Sequence, residues 1–406
     1  MNHLSYMEKL LNGVEVEWKA LWEVTVWDKK FNAVDRHKQK KINKHHYFLA
    51  KEINELVVPN GTVKLLTTNA SNKYTSEELA GDKIKSGEII AIPWGGDAIV
   101  QYYKGKYLTS DNRIATSSDP ELLSNKYLYY FLLNNLNELS SYYRGSGIKH
   151  PSMYDVLEMK IPIPCPDNPE KSLAIQAEIV RILDAFTAMT AELTAELTAE
   201  LNMRKKQYNY YRDQLLSFEE GDVEWKTLGE LAENLDSKRK PITSGLREAG
   251  EIPYYGASGI VDYVKDYIFD GDYLLVSEDG ANLLARNTPI AFSISGKTWV
   301  NNHAHVLKFE TYAERKYVEY YLNSIDLTPY ISGAAQPKLN KKNLGSIKIP
   351  NPAPKEKERI VAILDKFDSL TCSIKEGLPR EIELRQKQYE YYRDLLLSFP
   401  KSDEAA

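Results

Sequence analysis

Two stretches of the chain combine a glycine-lysine pair with polar side chains, a combination suited to binding an anionic polymer. Lysine and arginine bind phosphates, whereas asparagine, serine and histidine can hydrogen-bond to base edges. The candidate residues are Lys106, Ser110, Asp111, Asn112 and Arg113 in one stretch, and Lys297, Asn301, Asn302, His303 and His305 in the other. A hairpin tip at each glycine-lysine pair would present its lysine to a phosphate. An ordinary β-turn explains the pair equally well, and structural roles are slightly favoured for the two histidines.

A second pair of stretches, residues 144–151 and 332–338, is rich in small residues that leave backbone N–H groups exposed. Their candidate residues for phosphate or base contact are Arg144, Lys149, Gln336 and Lys338. Flexible linkers are the alternative interpretation of both stretches.

Catalytic and metal-binding motifs are absent from the sequence, which has no GxxxxGK[ST] loop, no HExxH and no methyltransferase signature. Glu278 and Asp279 could imitate a catalytic carboxylate pair. Because no such pair occurs in the matching part of the chain, we interpret these two residues as part of a turn, or as acceptors of a hydrogen bond from cytosine N4. The two cysteines, Cys165 and Cys372, lack a CxxC spacing. We therefore predict no catalytic site, no bound metal and no cofactor.

The composition is typical of a folded protein with two or three domains, with 43% hydrophobic and 27% charged residues in 406. Two unpaired-looking cysteines fit a reducing compartment, and no apolar run has membrane-spanning length. We therefore expect a cytoplasmic protein with no membrane partner. The net charge of −5 is mildly unfavourable for nucleic-acid binding, although binding depends on where the charge sits.

The chain contains two copies of one unit. VEWK begins at residues 16 and 223, KIP at 160 and 348, and QYxYYRDxLLSF at 207 and 388. The final helical segments align without a gap, whereas the interiors of the two copies differ in length and identity. One scaffold that carries two different recognition surfaces would show this pattern. Unselected drift after an old duplication is the alternative.

Each copy is predicted to be a β-rich globular part followed by a helix. Residues 88–92, 97–103, 273–276 and 289–294 have the β-branched and aromatic content of strands. The IP.P segments that follow should be rigid extended connectors, and helices should begin near Ser172 and Lys355. The predicted limits are 1–165 and 220–352 for the globular parts, and 166–219 and 353–406 for the helices.

Both helices carry an apolar stripe that requires a partner helix. Inside the first, TAEL occurs three times in tandem at residues 190–201. Each unit adds about 6 Å and about 40° of rotation, and that rotation is close to one base-pair step of DNA. Slippage in a tolerant helix is the alternative origin of the repeat. In the second helix, Gly377-Leu378-Pro379 should break or kink the chain.

Two variable regions, each followed by an IP.P connector and a helix ending in QYxYYRDxLLSF, resemble the specificity subunits of Type I restriction-modification enzymes. The TAEL units resemble the subfamily called Type IC. The resemblance covers nearly the whole chain and implies an α+β fold: two β-rich target-recognition domains separated by two long helices, packed as an antiparallel coiled coil with a pseudo-two-fold internal repeat. It implies a non-catalytic subunit whose two domains each read half of a bipartite DNA target. A self-sufficient DNA-cleaving enzyme with duplicated binding domains is the alternative.

The resemblance also implies partners. These are double-stranded DNA, two modification subunits that carry S-adenosylmethionine and methylate adenine, and motor-nuclease restriction subunits that use ATP and Mg²⁺. The residues expected to form the spacer or to dock modification subunits are Leu193, Leu197, Leu201, Tyr208, Tyr211, Arg212, Phe218, Tyr389, Tyr392, Arg393 and Phe399.

Overall fold

The computed structural model describes residues 10–11, 13–219, 221–333, 336–371 and 377–400. The chain forms two compact units, one of Met1–Thr194 with Leu384–Ala406 and the other of Ala195–Glu383. Each unit contains one globular domain and portions of the long helices. The predicted limits of the globular parts and helices stay predictions. No helix within the described ranges is long and apolar enough to cross a membrane.

The first domain contains a six-stranded sheet with a buried apolar face. Its strands, in spatial order, are Thr25–Trp27, Asn112–Ser117, Lys85–Pro93, Gln101–Thr109, Val63–Leu66 and Tyr74–Thr75. A short ribbon pairs Tyr143–Arg144 with His150–Pro151. The domain's helices are Leu21–Val24, Ala50–Glu55, Glu77–Ala80, Asn125–Asn134, Leu136–Ser141 and Met153–Glu158.

The second domain divides the corresponding strands between two four-stranded sheets. One sheet has the order Glu233–Asn234, Ala304–Lys308, Tyr273–Ser277, Ala291–Ile294. The other has the order Gly259–Val264, Ala249–Gly256, Lys297–Val300, Phe269–Asp270. The helices are Leu228–Leu231, Asn282–Ala285, Tyr312–Ser324 and Lys341–Gly345.

The glycine-lysine pairs do not form the predicted hairpin tips. Gly105 and Lys106 lie within the continuous strand Gln101–Thr109, which pairs antiparallel with one neighbour and parallel with another. At the matching place in the second domain, Gly296 has a φ of 76° and separates two strands that belong to different sheets. The glycine there ends one strand before the other begins.

The IP.P segments are extended as predicted, but they are paired strands rather than free connectors. Lys160–Pro164 pairs antiparallel with Val16–Ala20, and Lys348–Asn351 pairs with Glu224–Thr227. Each ribbon sets a VEW tryptophan opposite a proline. Trp18 packs against the first core and its indole N–H donates to the Pro400 carbonyl at 3.0 Å. Trp225 is exposed.

The central helix runs without interruption from Pro169 to Leu216 and includes all three TAEL units. Its first turns belong to the first domain, because Ile179 and Leu183 are fully buried in that core. The helix Pro354–Thr371 begins in the same way, with Ile360 and Leu364 fully buried in the second core. Each helix is therefore anchored by the domain that precedes it.

The helices pack antiparallel within each unit, which confirms the predicted arrangement. In the first unit, Phe186 lies 5.6 Å from Tyr392 between ring centroids, and Leu193 lines a cavity with Arg385. In the second unit, Tyr211 stacks on Phe367 at 5.7 Å. The two aromatic pairs occupy equivalent positions of the repeat, so the same contact forms twice.

The predicted break in the second helix is confirmed. One helix ends at Thr371 and the next, Leu378–Leu396, begins directly after Gly377. Gly377 has a φ of 82°, and a Cβ atom there would lie 2.5 Å from the Ser369 carbonyl oxygen. Only glycine fits this position without strain.

Candidate nucleic-acid interface

Four segments of the first domain meet around Trp94, just beyond the strand Lys85–Pro93. The Lys29 ammonium lies 4.8 Å from the indole ring centroid, and the His150 ring lies 5.4 Å from it. The Trp94 backbone N–H donates to the Asp111 carbonyl at 2.9 Å, and the Gly96 N–H donates to Lys149 at 3.0 Å. Lys29, residues 94–96, Asp111 and residues 149–150 therefore share one face, which we call the first loop face.

The second domain brings its equivalent segments together around Glu278, just beyond the strand Tyr273–Ser277. Glu278 accepts from Arg239 at 2.6 Å and forms an ion pair with Lys338 at 3.2 Å. Its backbone N–H donates to the His303 carbonyl at 2.9 Å, and the Gly280 N–H donates to Pro337 at 3.3 Å. Residues 236–240, 278–282, 301–303 and 336–338 form the second loop face.

A buried aspartate lies beneath each loop face. Asp28 accepts from the Ile114 backbone N–H at 2.9 Å and from the Arg113 guanidinium at 3.2 Å. In the second domain, Asp236 accepts from the Val306 backbone N–H at 3.0 Å, and its other oxygen lies 2.6 Å from His305 Nδ1.

Arg113 and His305 are therefore structural counterparts. Aligning the two copies on their glycine-lysine pairs would instead match Arg113 with Ala304. The second copy therefore has one more residue than the first between its glycine-lysine pair and this position, a shift that the sequence comparison missed.

The cations of the second domain keep its buried carboxylates ionised. Burial acts to raise the pKa of Asp236, but the hydrogen bond and charge of His305 and further donors bring that pKa below its ordinary value. Burial opposes ionisation of Glu278 as well, and Arg239, His305 and Lys338 lower its pKa. His305 Nε2 faces the Leu339 carbonyl at 2.7 Å, so an acceptor lies opposite each of the two ring nitrogens.

The cluster Asp236, Glu278 and His305 has the residue types of a metal site, with ligand atoms within 4.8 Å of one another. Its contacts do not fit a metal ion. The guanidinium of Arg239 lies 3.5 Å from Asp236 and 2.6 Å from Glu278, so a fixed cation already faces both carboxylates. The cluster is an internal ion network that holds the second loop face in place.

Five of the predicted DNA-contacting residues are buried and bonded within their own domain. The Asn112 amide donates to Leu66 and Thr109, and the Asn301 side chain accepts from the His303 backbone. The buried set is Ser110, Asn112, Arg113, Asn301 and His305. Side chains without access to solvent cannot reach a base edge, so we withdraw these five as contact residues and assign them to support the loop faces.

Most of the remaining predicted residues are exposed on the loop faces. The exposed set is Asp111, Lys149, Asn302, His303, Gln336 and Lys338. His303 Nδ1 lies 2.9 Å from Asp279, which leaves its other ring nitrogen directed away from that carboxylate. Arg144 is exposed but forms an ion pair with Asp155 at 3.0 Å.

The two lysines that were central to the hairpin-tip prediction are exposed but engaged elsewhere. Lys106 forms an ion pair with Glu77 at 2.7 Å, and Lys297 lies 4.7 Å from the centroid of the Tyr267 ring. Because the predicted tips do not exist, neither lysine is retained as a principal phosphate contact.

The strongest charge signal was overlooked in the sequence comparison. Residues 29–46 contain seven lysines or arginines (Lys29, Lys30, Arg36, Lys38, Lys40, Lys41, Lys44), three histidines and one acidic residue, Asp35. This basic segment leads from the strand Thr25–Trp27 onto the first loop face. A charge count in a sliding window would have found it. The matching segment of the second domain also starts with basic residues, at 238–240.

The predicted spacer and docking residues divide into packed and exposed groups. Leu193, Leu197, Leu201, Tyr208, Arg212, Phe218, Tyr389 and Arg393 are half-buried. Phe399 is buried in the first core against Tyr127, and Phe218 packs against the second core, so both serve the fold rather than docking. Tyr211 and Tyr392 are exposed at their edges. The adjacent Tyr210 and Tyr391, which were not singled out, are 62% and 64% exposed.

The protein has two domains with matching loop faces, and each domain is anchored to a long helix. This arrangement is that of a protein with two related binding surfaces. The sequence matches the family described as Type I restriction modification DNA specificity domain over residues 37–203 and 220–384. It is 42% identical to the EcoR124I/EcoR124II specificity subunit of Escherichia coli over 99% of each chain. It is 36% identical to the EcoprrI specificity subunit of the same organism over 93% of each. The chain therefore belongs to the family of Type I restriction-modification specificity subunits, the non-catalytic DNA-recognition components of these systems.

Solved structures of the same class share the fold. The Type I S subunit from M. genitalium superposes with a TM-score of 0.52 at 18% identity, over 96% of this chain and 98% of that one. A chain from a Type I restriction-modification complex superposes with a TM-score of 0.54 at 15% identity, over 85% and 96%.

The ion network predicts a specific dependence of stability on pH. Asp236→Asn should lower the free energy of unfolding of the second unit by roughly 3–5 kcal/mol at neutral pH, because it removes a buried counter-charge. The pKa of Asp236 in the folded protein lies below its ordinary value of 3.8. Its contribution is therefore complete above that pH and is lost as the pH falls through the folded-state pKa. Urea unfolding should show a constant difference from wild type down to about pH 5 and a smaller one below about pH 4.

The matched control is Asp266→Asn, which changes an exposed aspartate of the same domain. This variant should unfold like the wild type throughout. If the difference in free energy of unfolding between Asp236→Asn and wild type stayed the same at acidic pH, the ionised carboxylate of Asp236 would not be its source.

Proposed function

We propose that each globular domain reads one half of a bipartite double-stranded DNA target through its loop face. The observation that carries the proposal is the recurrence of one four-segment face above a buried aspartate, with different exposed side chains in the two copies. The names of the relatives, which are specificity subunits of restriction enzymes, support the same function.

Phosphate binding in the first domain is assigned to the basic segment. Lys30, Arg36, Lys40, Lys41 and Lys44 are exposed, and none forms an ion pair with another described residue. Uncompensated cations on one loop attract the DNA backbone whatever the base sequence. The net charge of −5 therefore does not argue against this function.

Base choice is assigned to the exposed polar residues of each face. In the first domain these are Asp111, Lys149 and His150, beside Trp94. In the second they are Asn302, His303 and Gln336, with Asp279 orienting the histidine ring. Amide, imidazole and carboxylate groups distinguish bases by their donor and acceptor patterns. Because the sets differ, we expect the two half-sites to differ in sequence.

Charge removal on the basic segment tests the phosphate assignment. The double variant Lys40→Ala/Lys41→Ala, assembled with its modification partners, should bind all DNA sequences more weakly. Each lost phosphate contact should reduce the slope of log affinity against log salt by about 0.9. Fluorescence anisotropy with specific and nonspecific duplexes at several salt concentrations measures both quantities.

Lys205→Ala/Lys206→Ala removes the same charge from an exposed part of the central helix and serves as the control. This variant should keep the wild-type salt slope. An unchanged slope in the Lys40/Lys41 variant would show that the basic segment does not contact phosphates.

The spacer helices are proposed to set the gap between half-sites. Because the TAEL units form continuous helix, a change in their number changes length and rotation without altering either loop face. The Gly377 break gives the second helix a place to accommodate such a change.

Deleting Thr194 to Leu197 should shorten the preferred gap by one base pair and leave both half-site sequences unchanged. Four residues contribute about 40° of rotation, which is close to one base-pair step. Methylation mapping in cells that carry the variant and its modification subunit measures the gap. The control Thr194→Ala/Glu196→Ala alters the same segment at constant length and should keep the wild-type gap. New half-site bases after the deletion would mean that the repeat shapes recognition itself.

Docking of two modification subunits is assigned to two matching tyrosine pairs on the helices. Tyr210 and Tyr211 form an edge-to-face pair at 5.4 Å, and Tyr391 and Tyr392 form an equivalent pair at 5.4 Å. Exposed tyrosines are enriched at protein interfaces, where they often dominate the binding energy. Two equivalent patches, one in each unit, fit two copies of one partner.

Tyr210→Ser and Tyr391→Ser test this assignment. Each single change should weaken binding of one modification subunit by roughly thirtyfold, as expected for a dominant interface residue. Each single variant should then form complexes with one modification subunit, and the double variant should remain free, as measured by native mass spectrometry. Met203→Ser alters another exposed apolar side chain of the central helix and should leave assembly intact. Normal assembly of the double variant would contradict the assignment.

The chemistry of the assembled system is proposed to reside in the partners. S-adenosylmethionine would bind to the modification subunits, and ATP and Mg²⁺ to the motor-nuclease restriction subunits. This chain would supply target choice, spacing and assembly.

A further inference from the structure

Each globular domain is joined to its spacer helix by an aspartate that contacts two points of one domain helix. On the central helix, the Asp184 carboxylate accepts from the Tyr130 hydroxyl at 2.6 Å and forms an ion pair with Lys126 at 2.6 Å. On the helix Pro354–Thr371, Asp365 accepts from Tyr320 at 2.6 Å and from Tyr312 at 2.8 Å. We call these two contacts the aspartate joints.

The aspartate joints share one bond in both copies of the repeat, from Tyr130 to Asp184 and from Tyr320 to Asp365, whereas the second partner is Lys126 in one copy and Tyr312 in the other. Other polar contacts near the starts of the helices differ. Gln176 bonds to backbone groups of Ser124 and Leu122 in the first unit. At the equivalent position of the second unit, Lys357 pairs with Glu314. A tyrosine-aspartate bond that recurs while its neighbours change indicates a role common to both domains.

The joints supply directional contacts where the surrounding contacts are apolar. Ile179 and Leu183, like Ile360 and Leu364, hold each helix in its domain core by burial, which is a non-directional interaction. A hydrogen bond constrains distance and angle together. Two bonds to one carboxylate, from points on different turns of the domain helix, oppose rotation about the spacer axis.

The chemistry of the tyrosines keeps both bonds intact at neutral pH. Burial raises the pKa of the Tyr130 and Tyr320 hydroxyls above their ordinary value, and the hydrogen bonds to Asp184 and Asp365 add to this effect. Each hydroxyl therefore remains a donor to a charged acceptor, which is a stronger arrangement than a bond between neutral groups.

We propose that Asp184 and Asp365, with Tyr130 and Tyr320, are positioning residues that fix the rotation of each recognition domain about its own spacer helix. They thereby set how strictly the protein selects the gap between half-sites. The proposal rests on the proposed reading of bipartite DNA and adds to it a device that is separate from base choice and from the length of the TAEL repeat.

Tyr130→Phe and Tyr320→Phe remove one hydroxyl each and keep the ring in the core. The assay uses the complete complex with its modification subunits and duplexes that carry the native gap, or a gap one base pair longer or shorter. Its readout is the ratio of methylation rates on native and shifted gaps. Each variant should lower this ratio by about tenfold, in keeping with the loss of one hydrogen bond to a charged group. The half-site sequences should stay the same.

Tyr127→Phe and Tyr317→Phe are matched controls on the same two domain helices. The Tyr127 hydroxyl donates to Pro162 within its own domain at 3.0 Å, and the Tyr317 hydroxyl has no hydrogen-bond partner among the described residues. Both control variants should keep the wild-type ratio, whatever their effect on thermal unfolding. An equal loss of gap selectivity in the controls would mean that the aspartate joints act only through the general stability of the domains, and it would overturn the proposal.

An unchanged ratio in both Tyr130→Phe and Tyr320→Phe would also overturn the proposal. If either variant unfolds at the assay temperature, Lys126→Met tests the first joint instead, because it removes the half-exposed partner of Asp184. This variant should show the same loss of gap selectivity. An unchanged ratio would overturn the proposal. Failure of the wild-type complex to methylate any bipartite target is a different result, because it would reject the proposed function itself.

Discussion

Burial of the first turns of each long helix inside a globular core is the contact on which the rest of the architecture depends. Ile179 and Leu183 are fully buried in one domain, and Ile360 and Leu364 in the other. Each such side chain contributes roughly 1.5–3 kcal/mol through burial, so the helix start cannot leave its domain without a large loss. The remaining apolar stripe then needs cover, which the antiparallel partner segment supplies in each unit.

The loop faces depend on a second constraint, the charge of a buried aspartate. An unpaired carboxylate in a protein core is strongly destabilising, so each domain must supply a cation and a backbone donor at the same place. In the first domain the cation is Arg113, beside Asp28; in the second it is Arg239, 3.5 Å from Asp236, and His305 Nδ1 lies 2.6 Å from the same carboxylate. Because the support is internal, the exposed residues above it can differ between the domains without loss of the fold.

Net charge and local charge point in opposite directions in this protein. The chain is acidic as a whole, yet one segment of the first domain gathers seven lysines or arginines with a single acidic residue. Phosphate attraction falls off over about 10 Å at moderate salt, so the local concentration of cations decides binding. The glutamates of the TAEL units lie on a separate, helical part of the chain, where they also serve helix formation and solvation.

The antiparallel pairing of the helices was implied by the family resemblance. The repeat, the long helices and the break at Gly377 followed from the sequence, because periodicity and local backbone preference are encoded by neighbouring residues. The support beneath the loop faces did not. Asp28 meets Arg113 across 85 positions, and Asp236 meets His305 across 69. Whether a polar residue of a strand faces solvent or a distant buried charge depends on which strands become neighbours. Only the tertiary structure decided that, and it shows that Arg113 and His305, which were predicted to contact DNA, are buried.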